Sequence, residues 1–194
     1  MIHSAEPLDH ANLLARVEAG WAPKFVFFWG HSGTPGADVG KECLSQWFPA
    51  SFVVAGAVYP TAEHYMMASK AELFGDPQTA SQIRACSHPA EAKELGRHVR
   101  GFDDDPWKQH RFDIVATGSH AKFSQNPTLR AFLLSTGERV LVEASPTDTI
   151  WGVGLAEKDP HARSPQEWRG LNLLGFALMH ARARILREGR ELEP

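Results

Sequence analysis

Sulfur is scarce in this chain, charge is nearly balanced and long apolar runs are absent. Each shortage removes a class of protein. The 194 residues include two cysteines, Cys43 and Cys86, with no CxxC spacing, so free thiols in a reducing compartment are expected rather than a disulfide framework. Lys and Arg number 20 against 23 Asp and Glu, for a formal charge of −3. That balance argues against holding nucleic acid by phosphate neutralisation alone, but leaves open a nucleotide or one modified base as substrate. No run of about 18 apolar residues exists, and the opening MIHSAEPLDHANLL lacks a basic-then-apolar leader pattern. A cytoplasmic protein with no membrane partner is expected.

Familiar motifs are missing as well. The ten histidines form no HExxH, no HxH and no Cys/His cluster, so neither zinc nor another protein-ligated metal is expected. A GxSxG elbow is absent, as is the phosphate loop GxxxxGK[ST]. GVGLAE at 152–157 lacks a third glycine and opens no βαβ unit, which leaves no dinucleotide fingerprint. No cofactor is expected.

What remains is an ordinary globular composition, 43% apolar and 22% charged, at a length suited to one domain. Residues 1–23 read as a peripheral segment with one weak helical turn through Leu13, Leu14 and Val17, and 24–190 as the domain. KFVFFW at 24–29 reads as a buried strand and 31–41 as a loop. Residues 52–59 read as strand, bend at Gly56, strand. Helices are then expected from Thr61 to Gly75, from Asp76-Pro77, from Ser87 or His88 before Pro89, from Asp105-Pro106-Trp107, and from Asn126-Pro127 to Gly137. Arg139–Ala144 reads as a strand, 146–154 as a loop, 155–168 as irregular and Asn172–Leu186 as a last helix. Strands are few and helices many, which predicts an α+β fold, mainly helical, in a single domain.

The helix YPTAEHYMMASK carries the sharpest chemical signal. Thr61 is its expected N-cap, and Tyr65, Met66, Met67, Ala68 and Ala71 make it apolar on most sides. Glu63 and Lys70, seven residues apart, fall on one line roughly 10 Å apart along the axis. A carboxylate and an amine on a buried helix are costly to desolvate unless paired or working. Salt-bridge partners in the core are the plain alternative. Elsewhere, acidic or aromatic residues sit at element ends: Trp107, Glu143, Asp148 and Trp151. Alone, each has a structural reading as staple, turn residue or core plug.

YPTAEHYMMASKA, then Gly96-Arg97, AKFSQNP with LLSTG following, LVEASPTDTIWGVG and GLNLLGFALM together resemble the NADAR family from about Phe25 to Leu186. The resemblance implies a mainly helical α+β enzyme that cleaves, without a metal, an N-glycosidic bond between ribose and a base-like amine. Phosphoribosylamino-pyrimidine intermediates of riboflavin synthesis are the first implied substrate and ADP-ribosylated guanine the second. A non-catalytic binding module for ADP-ribose is a third reading. Position by position, Glu63, Lys70 and Asp148 are the implied catalytic residues, and Trp151 and Trp107 the implied stacking residues. Asn172 belongs to the N-x-LG-x2-LM motif and Gln46 stands where many members have asparagine; both are expected to touch substrate. Arg97 and Lys122 are the candidate phosphate partners. The polar stretch from Glu157 to Trp168 departs from the family pattern. Nothing in the sequence fixes the oligomeric state.

Overall fold

The computed structural model describes residues 9–32 and 39–191. The first eight residues of the expected peripheral segment, and residues 33–38 of the expected loop, lie outside the described residues. In chain order the elements are α1 (His10–Glu18), β1 (Phe25–Phe28), β2 (Phe52–Val54), β3 (Ala57–Tyr59), α2 (Ala62–Leu73), α3 (Pro77–Ala85), α4 (Pro89–Arg97), α5 (Asp104–Gln125), α6 (Pro127–Ser135), β4 (Val140–Glu143) and α7 (Leu173–Glu191). Helices dominate, and the class is α+β.

Local chemistry explains most boundaries. Thr61 caps α2 and Asp76 caps α3 ahead of Pro77, while Gly75 between them takes a φ of 69° that ends α2. In the β2–β3 hairpin, Ala55 and Gly56 both have positive φ (49° and 81°), the signature of a turn whose twist suits the flanking strands. Two boundaries differ from expectation. Helix α5 is capped by Asp103, whose side chain accepts from Asp105 N, so it begins ahead of the Asp105-Pro106 pair. Helix α7 continues past Leu186, where an Arg184–Glu188 pair at 2.9 Å supports its exposed last turns.

The strands make two small sheets: β1 with β4 in parallel, and the antiparallel β2–β3 pair. Val140, Leu141 and Val142 are fully buried, and α7 packs on β4 and on α5. Helix α1 is a full nine residues. It buries Leu13 completely, and His10 stacks on Trp168 at 5.4 Å while donating to Pro165 O. Cys43 and Cys86 are both free. Among the described residues no helix is long and apolar enough to cross a membrane.

Candidate active site

Parallel pairing of β1 and β4 sets Phe28 opposite Glu143 at the carboxyl ends of both strands. From Glu143 the chain enters a loop that ties itself shut. Asp148 Oδ1 accepts from Ile150 N (2.8 Å) and Trp151 N (2.7 Å), and Glu143 O accepts from Val153 N (3.0 Å). A Cβ on Gly152 would press against Glu143 O and Asp148 O, so the loop needs glycine there. Opposite stands the first turn of α2. Glu63 N donates to Gln46 O (3.0 Å), which fastens this turn to the 45–48 segment.

These elements enclose a cavity of about 130 Å³, lined by Gln46, Trp47, Glu63, Met66, Met67, Lys93, Glu143, Asp148 and Trp151 together with Ser45 and Leu174. That is the space of about four waters at ~30 Å³ each. Three carboxyls and one amine therefore face one small space between two indoles. Lys93 Nζ lies 5.8 Å from the Trp47 ring centroid, within range of a cation–π attraction.

Burial sets the electrostatics. Glu63 is 3% exposed and its pKa is pushed up to about 7, chiefly by desolvation. Lys93 pulls it back most, then the Trp47 side chain, while the charge of Asp148 adds to the rise. Glu143 is pushed up to about 8, again first by desolvation, then by Asp148 and Glu63. Among the described residues, Oε1 of Glu63 and Oε2 of Glu143 are buried without a hydrogen-bond partner. Two carboxyls that hold protons near neutrality beside a third acid make a site suited to acid–base work.

A NADAR domain model matches residues 27–186 of this chain. The chain belongs to the NADAR family. It is 46% identical over 164 residues to "N-glycosidase R617" of Acanthamoeba polyphaga mimivirus, covering 82% of this chain and 95% of that protein. It is 33% identical over 132 residues to "N-glycosidase YbiA" of Escherichia coli K12, covering 68% and 74%. "Riboflavin biosynthesis protein PYRR, chloroplastic" of Zea mays is 37% identical over 135 residues, 66% of this chain but only 20% of that protein. The solved NMR structure of the E. coli protein YbiA superposes with a TM-score of 0.71 at 27% identity, covering 90% of this chain and 92% of that one.

Within this NADAR domain the expected site residues divide. Glu63, Asp148, Trp151 and Gln46 meet at the cavity, with Gln46 Nε2 directed at Met66 Sδ (3.5 Å). Lys70 and Trp107 do not line it. Helices α2 and α4 cross at Met67 and Gly96, where a Cβ on Gly96 would overlap the Met67 side chain. Lys70 lies past that crossing, donating to Gly96 O at 2.8 Å near the C-terminus of α4 and resting 4.0 Å from the Phe102 ring and 5.7 Å from Trp107. Burial lowers its pKa.

Two expected ligand contacts have other work. Lys122 is 1% exposed and donates to Cys43 O (2.7 Å) and Ser45 O (2.8 Å); it holds up the 43–48 segment and does not line the cavity. Asn172 is fully buried, its Oδ1 accepting from Glu143 N (3.0 Å) and its Nδ2 donating to Leu141 O (2.9 Å). It holds the backbone of Glu143 and does not line the cavity. Asn172 adopts φ 52°, and Gly175 lets α7 close on Leu141 O, so the NADAR N-x-LG pattern records packing here. Arg97 is exposed and paired with Glu94 at 2.8 Å, though its charge is felt at Glu63.

Three of the charged or aromatic residues lining the cavity, Trp47, Lys93 and Glu143, are not among the site residues expected from the sequence. Glu143 was legible only as an acid at a strand end. Lys93 had a usable signal: it stands one turn before Gly96, and a glycine inside a helix marks a close crossing. Trp47 had none beyond its aromatic neighbours.

Proposed function

We propose that this chain is an N-glycosidase that hydrolyses the bond between C1 of a ribose and the nitrogen of a base-like amine. The observation that carries this is the meeting of Glu63, Glu143 and Asp148 with Lys93 between Trp47 and Trp151. Breaking such a bond leaves cationic character on the sugar and negative character on the departing nitrogen. Glu143, protonated up to about pH 8, is placed to give its proton to the nitrogen as the C1–N bond breaks. The charge of Asp148 stabilises the sugar cation. Water then adds its oxygen to C1 and gives a proton to Glu63 or back to Glu143. In a covalent variant the Lys93 amine gives a proton to Glu63 and attacks C1 as the C1–N bond breaks and the base nitrogen takes the Glu143 proton. The bond from C1 to the ring oxygen then opens to leave an imine on Lys93, and water hydrolyses the imine to free sugar and amine. That Lys93 lines the cavity and Lys70 does not supports Lys93 as the amine of that variant.

The favoured substrate is a phosphoribosylamino-pyrimidine intermediate of the riboflavin route, hydrolysed as damage control. N-glycosidase names among relatives matched over most of their length support the reaction, and riboflavin-protein names support the substrate. One observation favours removal of ADP-ribose from guanine instead. A hollow of about 730 Å³, lined by Trp29, Lys41, Ala144, Lys158 and Arg163 among others, opens at the residue after Glu143. Trp29 there is 65% exposed, a free ring for a second base, with Lys158 and Arg163 as cations for phosphates, Lys41 being paired with Glu157 at 2.9 Å. Incubation with each substrate decides between them. Release of ribose phosphate from the pyrimidine intermediate supports the first; free ADP-ribose from modified guanine DNA supports the second. Neither product would remove the glycosidase reading.

A further inference from the structure

Two buried oxygens of the acidic cavity, Glu63 Oε1 and Glu143 Oε2, have no hydrogen-bond partner among the described residues. An oxygen stripped of water without a replacement bond is costly, and a bound group that supplies the bond recovers that cost. Glycosidic cleavage accounts for Glu143, whose proton goes to the departing nitrogen. Glu63 Oε1 still needs a partner while substrate is bound.

Size and charge select the part of a ribosyl substrate that enters. A cavity of about 130 Å³ suits a furanose ring and its hydroxyls, without room for a base and a phosphate as well. Three carboxyls against one amine are a poor host for a phosphate dianion but a good one for hydroxyls, each able to donate once and accept twice. Met66 and Met67 give an apolar wall for the carbons of the ring. The geometry of the sugar then separates the two acids. In a β-ribosyl amine the nitrogen on C1 and the hydroxyl on C2 stand on adjacent carbons and on opposite faces of the ring. Glu143 enters the cavity from the end of β4 and Glu63 from the first turn of α2, near enough for the charge of Glu63 to act on Glu143. With Glu143 at the nitrogen, Glu63 is left for the other face.

We propose that Glu63 Oε1 holds the 2-hydroxyl of the sugar, which makes the enzyme selective for ribosyl over 2-deoxyribosyl amines. This deepens the N-glycosidase reading and rests on it. The other oxygen of Glu63 remains for the proton that water gives up. As C1 becomes cationic, the 2-hydroxyl grows more acidic and its bond to Glu63 tightens, so the selectivity falls on kcat as well as on KM.

The test compares the phosphoribosylamino-pyrimidine with its 2-deoxyribosyl counterpart, each rate divided by its uncatalysed rate because the deoxy sugar is the more labile. The full chain should favour the ribosyl substrate by about 10²-fold or more in kcat/KM. Glu63→Ala should slow the ribosyl substrate and bring the preference to within about threefold, whereas Glu143→Gln should slow both substrates and keep the preference. Glu63→Met serves in the same way if Glu63→Ala does not fold. A parallel titration with ribose 5-phosphate and 2-deoxyribose 5-phosphate follows the backbone amides of Gln46, Glu63 and Asp148. The ribose ester should bind at least about tenfold more tightly, and the Glu63 variants should lose that margin. Equal normalised turnover of the two substrates overturns the proposal and leaves the glycosidase reading standing. Turnover of neither, with modified guanine DNA uncut as well, removes the glycosidase reading, and the titration then decides alone. There, a ribose margin lost in the Glu63 variants upholds the proposal; equal affinity, or no binding up to about 10 mM, overturns it. A preference that persists in folded Glu63 variants assigns the hydroxyl to another residue and also overturns it.

Discussion

Met67 and Gly96 are in such close contact that residue 96 has no room for a Cβ, and their crossing puts Glu63 and Lys70 in different surroundings. On one side Glu63 shares a cavity with Lys93; on the other Lys70 holds the Gly96 carbonyl. Lys70→Gln should therefore keep turnover within about threefold, whereas Lys93→Gln should lose about 10²-fold or more. Borohydride added during turnover should leave sugar attached at Lys93 if the imine route operates. A fast enzyme with no adduct assigns the direct attack of water, and full loss in Lys70→Gln alone would refute the separation.

The raised glutamates predict two pH effects. As Glu143 loses its proton above about pH 8, kcat/KM should fall, and Glu143→Gln should remove that limb along with about 10²-fold of activity. Stability moves too. Both groups bind protons more tightly folded than unfolded, so their contribution is complete below about pH 4.5 and is lost as pH rises through about 7 for Glu63 and 8 for Glu143. Melting temperature should drop between pH 5 and 8 in the parent and drop less in Glu63→Gln/Glu143→Gln. Parallel slopes would show that the two carboxyls are not desolvated as described.

Much of this was visible in the sequence because it is written locally. Caps such as Thr61 and Asp76, prolines at first turns and the Gly75 stop belong to single residues and their neighbours. The NADAR motifs located Glu63, Asp148 and Trp151 for the same reason. Helical periodicity put Glu63 and Lys70 on one stripe, but a stripe does not say where another helix crosses it. That information lies in Gly96, 26 residues beyond Lys70, and it decides which amine reaches the cavity. Lys122 misled for a related reason: a lysine inside a helix gives no local sign that two carbonyls wait for it in a segment nearly 80 residues earlier.

Lys122 offers a stability test with the opposite sign. Burial lowers its pKa to about 7, so the unfolded chain binds more protons and stability should rise from about pH 7 towards 10. Lys122→Met should abolish that rise. At neutral pH the loss of two hydrogen bonds to carbonyls should destabilise by on the order of 1–3 kcal/mol, less whatever relief comes from removing a buried charge. KM for a phosphorylated substrate should change little in protein that remains folded; a selective KM rise would return Lys122 to the role of phosphate ligand.

Among the described residues no group of three or more His, Cys, Asp or Glu is arranged to hold a metal ion. Exhaustive chelation should leave turnover within about twofold, a change far smaller than the loss expected from removing one acid–base group. Loss of activity restored by a single divalent ion would contradict this.

Asn172 has a further consequence for the way this molecule meets others. Its amide accepts from one residue of β4 and donates to the residue two before it, as a peptide unit of a neighbouring parallel strand does. A side chain thus stands in for a third strand. The far edge of β4 is finished in part from within: Leu141 O and Glu143 N are already taken, and a foreign strand cannot use them to add itself.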